Sequence, residues 1–354
     1  MEETKTSTTT ENNTVTEVTA IQDFDYVTVV GCSNPTHFDS SNLWDVASNL
    51  YNGQDGDKAM FINQGIRQIR LYPPADGESS RRVFLIFPEL YERAWLDRVR
   101  EIVENDYNAN YAELDSISEL IDFVARRRLR KRMIKQMDFF SHGMVMTVEF
   151  GYRTGKADSY RLRDAQARMF DPRAFDEDAV IHSYACRTGL GHDIGDQLDP
   201  GEDPRYADSL AQILADSADA WVWAYPRRTL YDQTYGTKED LRVAQETLKK
   251  MTVYEAEKRR YDAQIADYRR RTLAQGRGPL KEIPGESPPQ PPIRPYTDEE
   301  VRLALHMRSR DVNKEEFGVP LDDYGAVRGV RSAESPAGLP MGKMRFTPRV
   351  WSQG

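Results

Sequence analysis

Met133-Ile-Lys-Gln-Met-Asp-Phe-Phe140 runs straight into Ser141-His142-Gly143, and Val180-Ile-His-Ser-Tyr-Ala185 runs straight into Cys186-Arg187-Thr188-Gly189. Each is an apolar-rich run of strand length that a glycine closes, and each stops at a side chain able to do chemistry. Working outward, Tyr26-Val-Thr-Val-Val-Gly31 is β-branched and followed by Asn34 and Pro35, while Arg82-Val-Phe-Leu-Ile-Phe87 is closed by Pro88. Both predict buried strands ended by turns, and Ala220-Trp-Val-Trp-Ala-Tyr225 predicts another. Between the strands the apolar period lengthens. Leu43, Val46, Ala47 and Leu50 share one helical face, as do Trp95, Val99, Ile102 and Val103, then Ile117, Leu120, Ile121 and Val124, and later Tyr206, Leu210, Ile213 and Leu214. Strands alternating with helices predict an α/β fold whose mainly parallel sheet is flanked by helices on both faces.

The flanking segments predict appendages to a domain over residues 23–236. Residues 1–22 are Thr-rich and acidic with few apolar side chains, so a mobile tail is expected. Residues 237–275 predict a long charged helix, with Leu241, Ala244, Leu248, Met251 and Tyr254 beginning a stripe that continues to Tyr268. Such a stripe is expected to pack on its own domain or to pair with another helix. Seven of the 19 prolines fall between 279 and 295, which makes 276–296 a semi-rigid linker. In the extension 297–354, Thr297-Asp-Glu-Glu300 is a capping box opening a short helix through Met307, and Met344 to Trp351 is expected to add an edge strand.

Composition narrows the function classes. The 354-residue chain sets 48 Lys and Arg against 57 Asp and Glu, a formal charge of −9, which argues against a nucleic-acid partner. The basic run Arg126 to Arg132 falls at the predicted carboxyl end of a helix, where cations complement the macrodipole. Two cysteines, Cys32 and Cys186, build no disulfide framework, and no basic-then-apolar leader opens the chain. No uncharged apolar run reaches the roughly 18 residues of a membrane-spanning helix. Cytoplasmic synthesis without membrane insertion is the expectation.

A thiol attacks a carbonyl as the thiolate, and a nearby imidazole takes its proton and later protonates the leaving amine. In open parallel sheets the working edge is the carboxyl end of the strands, where His142 and Cys186 are placed. Gly143 permits close backbone approach, so its amide and that of Cys186 are candidates to receive the oxyanion of a tetrahedral intermediate. Cys32 also ends a strand but has no such surroundings and reads as structural. His182, four residues before Cys186 on one strand, reads as packed in the sheet, and His192 as a solvated loop residue. A zinc site from His142, Cys186, His192 and Asp193 lacks compact ligand spacing.

An apolar strand ending in His-Gly, followed by an apolar strand ending in a small residue and Cys, resembles the caspase-like cysteine peptidases. The matching residues are Phe139-Phe-Ser-His-Gly143 and Tyr184-Ala-Cys-Arg-Thr-Gly189, with His142 and Cys186 separated by 44 residues, near the roughly 50 of the caspase signature. The resemblance implies a caspase-like sheet, His142 as general base, Cys186 as nucleophile, a protein substrate, and no metal or organic cofactor. Caspases carry Gln two residues before the nucleophile, where this chain has Tyr184, and Thr188 precedes the expected glycine. The resemblance thus carries the chemistry and leaves the preference for aspartate open.

Tyr184 and Arg187 are candidate pocket residues by position, and the acidic loop with Asp193 and Asp196 is a candidate lining for a basic substrate side chain. Bacterial domains of this type occur in defence systems and delivered toxins. That implies an effector exported without a cleavable signal, whose 238–275 helix meets an immunity protein, chaperone or secretion component. The rivals are an inactive caspase-like binding module using that helix, and a thiol hydrolase acting as an amidase or acyl hydrolase.

Overall fold

The computed structural model describes residues 23–33, 58–74, 80–275, 283 and 285–349. The expected tail, the expected helix over 43–50 and the stretch 347–351 of the expected edge strand in part lie outside the described residues or outside regular structure. Seven strands form the central sheet: β1 Asp23–Val30, β2 Ser80–Ile86, β3 Ala109–Glu113, β4 Arg132–Phe140, β5 Phe175–Ser183, β6 Trp221–Ala224 and β7 Met344–Phe346. Their spatial order is β7-β6-β5-β4-β1-β2-β3, with all neighbours parallel except β6 and β7. The chain starts at β1, moves out to β3, and returns to the other side of β1 as β4. Strand order therefore reverses between β1 and β4, and the crevice at the carboxyl ends there is the natural ligand-binding edge of such a sheet.

The helices are α1 (58–71), α2 Arg93–Glu101, α3 Ile117–Leu129, α4 Leu210–Ala218, α5 Lys238–Ala274 and α6 Asp298–Phe317. Helix α1 is almost wholly buried and packs so tightly that a Cβ on Gly65 would meet Val30 at 2.6 Å and Phe84 at 2.8 Å. A larger residue there would lift the helix from β1 and β2. Ser209 caps α4 by accepting from the Gln212 N–H, and Thr237 with Asp240 forms a capping box at α5. The stripe on α5 is shared between two partners. Ala244 packs with Leu303, Met307 and Val327, while further along Tyr268 accepts from the Ile283 N–H, Tyr254 meets Tyr296 edge-on and Arg271 pairs with Glu286.

Besides helix α1, which no sequence period marked, three elements differ from the sequence expectation. Helix α6 continues past Met307 to Phe317 and ends on Gly318 in the left-handed region, because the polar Ser309, Arg310 and Asn313 are buried against hydrogen-bond partners. β3 carries little apolar signal because it is a short edge strand with one buried residue. β5 begins at Phe175, ahead of a register irregularity before Val180, and ends at Ser183, so Tyr184 and Ala185 belong to the turn that follows. The C-terminal extension also closes back on the sheet: Val319, Leu321 and Phe346 join the main core.

The amino ends of β1 and β4 are locked by buried charge. Asp25, fully buried, pairs with Arg127 from α3 and with Arg132 at 2.7 Å, and Arg132 also reaches Asp23 at 2.9 Å. The basic run is thus partly structural: Arg127 and Arg132 face the core, whereas Arg126 lies outside and approaches Asp122 at 3.6 Å.

Candidate active site

β4 delivers His142 to the crevice. Beyond Phe140 the chain enters a small antiparallel sheet, in which His142–Met144 pairs with Thr147–Glu149 and that strand with Arg161–Leu162. Ser141 is fully buried and its hydroxyl donates to the Glu149 carbonyl, while the Glu149 carboxylate opposite His142 is held by Arg161 at 2.7 Å. The histidine therefore starts on a braced hairpin. Its half-buried ring meets Phe61 of α1 edge-on at 5.0 Å and Tyr152 at 4.7 Å, and no described residue hydrogen-bonds to it. Burial, with the nearby Arg153 cation, pushes the imidazole down to about 4, so it is neutral and able to accept a proton at neutral pH.

β5 delivers Cys186 beside it. A Cβ built on Gly143 would fall 2.5 Å from the Cys186 carbonyl oxygen and 2.6 Å from its nitrogen, so only glycine lets the two turns pack this closely. Gly143 and Cys186, the two amides expected to receive an oxyanion, are adjacent through this contact. The half-buried thiol rests against Thr229: the Thr229 N–H donates to Sγ at 3.2 Å, and Thr229 Oγ1 lies 3.2 Å from Sγ. That hydroxyl donates to the Tyr184 carbonyl at 2.9 Å, which leaves an oxygen lone pair to face the thiol. Arg187 follows in the left-handed region at φ 55°, and its N–H donates to the Arg227 carbonyl, pinning the turn. No hydrogen bond joins His142 to Cys186 among the described residues.

Gly143→Ala is therefore expected to abolish most thiol reactivity while the distant sheet edge still folds. The added methyl meets backbone on both sides, so the two turns must separate. Iodoacetamide labelling of Cys186 and a melting curve check this; unchanged labelling would mean that the contact does not position the thiol.

The remaining sequence candidates scatter. Tyr184 stacks on Phe140 at 4.5 Å and lines a cavity of about 220 Å³ with Gln64, Arg67, Tyr225, Val330 and Lys343. Arg187 turns away to pair with Asp193 at 2.8 Å. Asp193 and Asp196 do not line this cavity: Asp193 also accepts from the Gly195 N–H, and the exposed Asp196 accepts from Ser335. Asp193 is satisfied locally by Arg187 and Gly195, and Asp196 lies on an exposed turn. His192 is held by Glu202 at 2.9 Å, and His182 lies 3.2 Å from Lys343 on β5. Cys32 is fully buried beside Gly151, and burial pushes its thiol up to about 12. Among the described residues, no three His, Cys, Asp or Glu side chains are grouped to hold a metal ion, and no helix is long and apolar enough to cross a membrane.

Sequence reasoning missed Thr229, Phe61, Tyr152, Arg67 and Lys343. None sits in a motif; Phe61 and Arg67 come from α1, and Thr229, Tyr152 and Lys343 from three other parts of the chain. Compared with known proteins, the chain matches no family model, no curated protein and no solved structure.

Proposed function

We propose that this chain is a cysteine endopeptidase of caspase-like architecture, cutting protein substrates through His142 and Cys186. The observation that carries the reading is the seating of a neutral histidine and a half-buried cysteine beyond the carboxyl ends of adjacent parallel strands, with Gly143 against the cysteine backbone. His142 takes the Cys186 proton as Sγ bonds to the scissile carbonyl carbon, and the carbonyl oxygen becomes an oxyanion facing the amides of Gly143 and Cys186. The imidazolium then protonates the departing amine as the C–N bond breaks, leaving a thioester on Cys186. Water, deprotonated by His142, attacks the thioester and releases the acid, and the proton returns to the thiol. Thr229 N–H supplies a fixed donor to sulfur throughout the cycle.

The deciding experiment is incubation of the full chain with a whole-cell lysate, read for newly formed peptide termini against a Cys186→Ala control. New termini dependent on Cys186 support a peptidase. Their absence, with thiol-dependent release of small amides or acyl groups instead, would make the chain a thiol hydrolase of another kind. The surface of α5 suits a second role in partner binding, since Val253 and Leu273 are each more than half exposed on it, with Ile293 exposed on the returning segment alongside.

A further inference from the structure

β3 forms one edge of the central sheet, with β2 as its neighbour among the described residues. The N–H and C=O groups of such a strand alternate between its neighbour and the open side. The Leu114 N–H donates to the Ile86 carbonyl at the end of β2, so by that alternation Asn110 and Ala112 also face β2, and Ala109, Tyr111 and Glu113 present theirs outward. Edge strands commonly carry lysine, proline or a bulge that discourages further pairing. β7, at the other edge, carries Arg345 and is flanked by Lys343 and Pro348. β3 has no such guard. It reads Ala-Asn-Tyr-Ala-Glu, and its one charge, Glu113, is matched by Arg93 and Arg100.

An open groove of about 580 Å³ runs along this edge. Val83 and Leu85 of β2 with Asn110 and Ala112 of β3 form its floor, and α3 forms its wall. Because α3 connects two parallel strands it runs against them, and it lays out its charges by sign. Glu119 and Asp122 line the groove toward the carboxyl side of the sheet, whereas Arg126 and Arg130, with Arg81 at the start of β2, line it toward the amino side. Apart from the 3.6 Å approach of Arg126 to Asp122, none of these five is in an ion pair with a described residue.

This pattern is its own complement under a two-fold rotation. Antiparallel pairing of β3 with β3 of a second copy, centred on Tyr111, sets Tyr111 opposite itself and Ala109 opposite Glu113. All three outward-facing residues then fall in hydrogen-bonded pairs. On the groove side Asn110 meets Ala112, so no like charges are opposed. The helices obey the same axis. Tyr111 lies three residues, about 10 Å, before Leu114 on the strand, and Val124 lies seven residues, about 10 Å, into α3 from Ile117. A two-fold axis through Tyr111 therefore passes α3 near Val124, which brings Asp122 opposite the partner's Arg126 and Glu119 opposite the partner's Arg130. The arginine stems entering each groove cover its apolar floor while their heads meet carboxylates.

We propose that the β3 edge is the interface of a two-fold dimer of this chain, its β3 strands paired antiparallel into one continuous sheet and its α3 helices matched charge to charge above it. The His142 and Cys186 turns follow β4 and β5, three strands or more from this edge, so both crevices stay open.

Sedimentation velocity on the full chain tests this. Wild type should be a dimer that loosens as salt rises from about 50 to 500 mM, because the helix-to-helix pairs are screened. Asp122→Arg sets like charge against the partner's Arg126, and Arg126→Glu sets like charge against the partner's Asp122. Each alone should weaken the dimer at least about tenfold. An equimolar mixture of the two variants should recover a dimer holding one of each, since every cross-pair is again opposite in sign. Both side chains are more than half exposed, so each variant should melt near wild type. Amide hydrogen exchange at Tyr111 and Glu113 should slow as protein concentration rises, which locates the interface without any variant. A wild-type chain still monomeric near about 1 mM would overturn the proposal. So would variants that dimerise as well as wild type, a mixture that recovers nothing, or exchange along β3 that ignores concentration. None of these measurements uses turnover, so their outcome is separate from that of the peptidase reading.

Discussion

Cys186→Ala, His142→Ala and the double variant should all fall to one residual rate, at least about a thousandfold below the parent, because a nucleophile and its base act as one unit and their losses do not add. Folding should survive, since Cys186 is only half-buried and its sulfur touches Thr229 and little else. Cys186→Ser should be almost as inactive, because a hydroxyl ionises far less readily than a thiol. Cys32→Ala should keep near-normal activity, its thiol being buried and pushed up to about 12.

The same series has a pH signature. With His142 pushed down to about 4, the acid limb of kcat/KM should fall near pH 4 and not near the ordinary imidazole value of 6.5. The sign follows from its role: the base works unprotonated, so activity is lost as pH drops through the folded value. Folding stability shifts in the same direction, because between pH 6.5 and 4 the unfolded imidazole binds a proton that the folded one resists. Residual rates that add independently, or a Cys186→Ala protein that keeps its biological effect while changes on α5 abolish it, would replace the enzyme with a binding module.

Asp25→Ala should be the most destabilising single change away from the site, at about 3–5 kcal/mol. Asp25 is fully buried and answers two arginines, Arg127 from α3 and Arg132 at the start of β4. Removing it leaves two cations in the interior with one exposed-side carboxylate, Asp23, for Arg132 alone. Against a typical total of about 5–15 kcal/mol, that is a large share. Urea unfolding should show the midpoint falling with little change in slope, whereas Arg126→Ala, on the outer face of the same run, should move it by less than about 0.5 kcal/mol. An unchanged midpoint for Asp25→Ala would mean that the arginines find other acceptors.

Local chemistry alone made a good part of this molecule legible. β1, β2, β4 and β6 are β-branched or aromatic runs stopped by glycine or proline, and α2, α3 and α4 show a clean apolar face, so their residues report their own state. His142, Gly143 and Cys186 were legible for the same reason, each lying just past an apolar run. Helix α1 was not, because it is buried on nearly every side and its polar residues are satisfied by distant chain: Asn63 donates to the Pro320 carbonyl and Gln64 to that of Arg328. A helix whose polar groups are matched from more than 250 positions away shows no amphipathic period. The cavity beside Tyr184 was hidden likewise.

By itself, then, the sequence determined strands β1, β2, β4 and β6, helices α2 to α5, and that a histidine and a cysteine follow two apolar runs, since those outcomes depend on neighbours a few residues apart. Only the tertiary structure decided that β4 and β5 lie side by side, that Thr229 meets the thiol, and that Arg67 and Lys343 converge on Tyr184. Those contacts depend on strand order and on the return of the C-terminal segment to the sheet edge, and no local pattern encodes which distant residue will arrive.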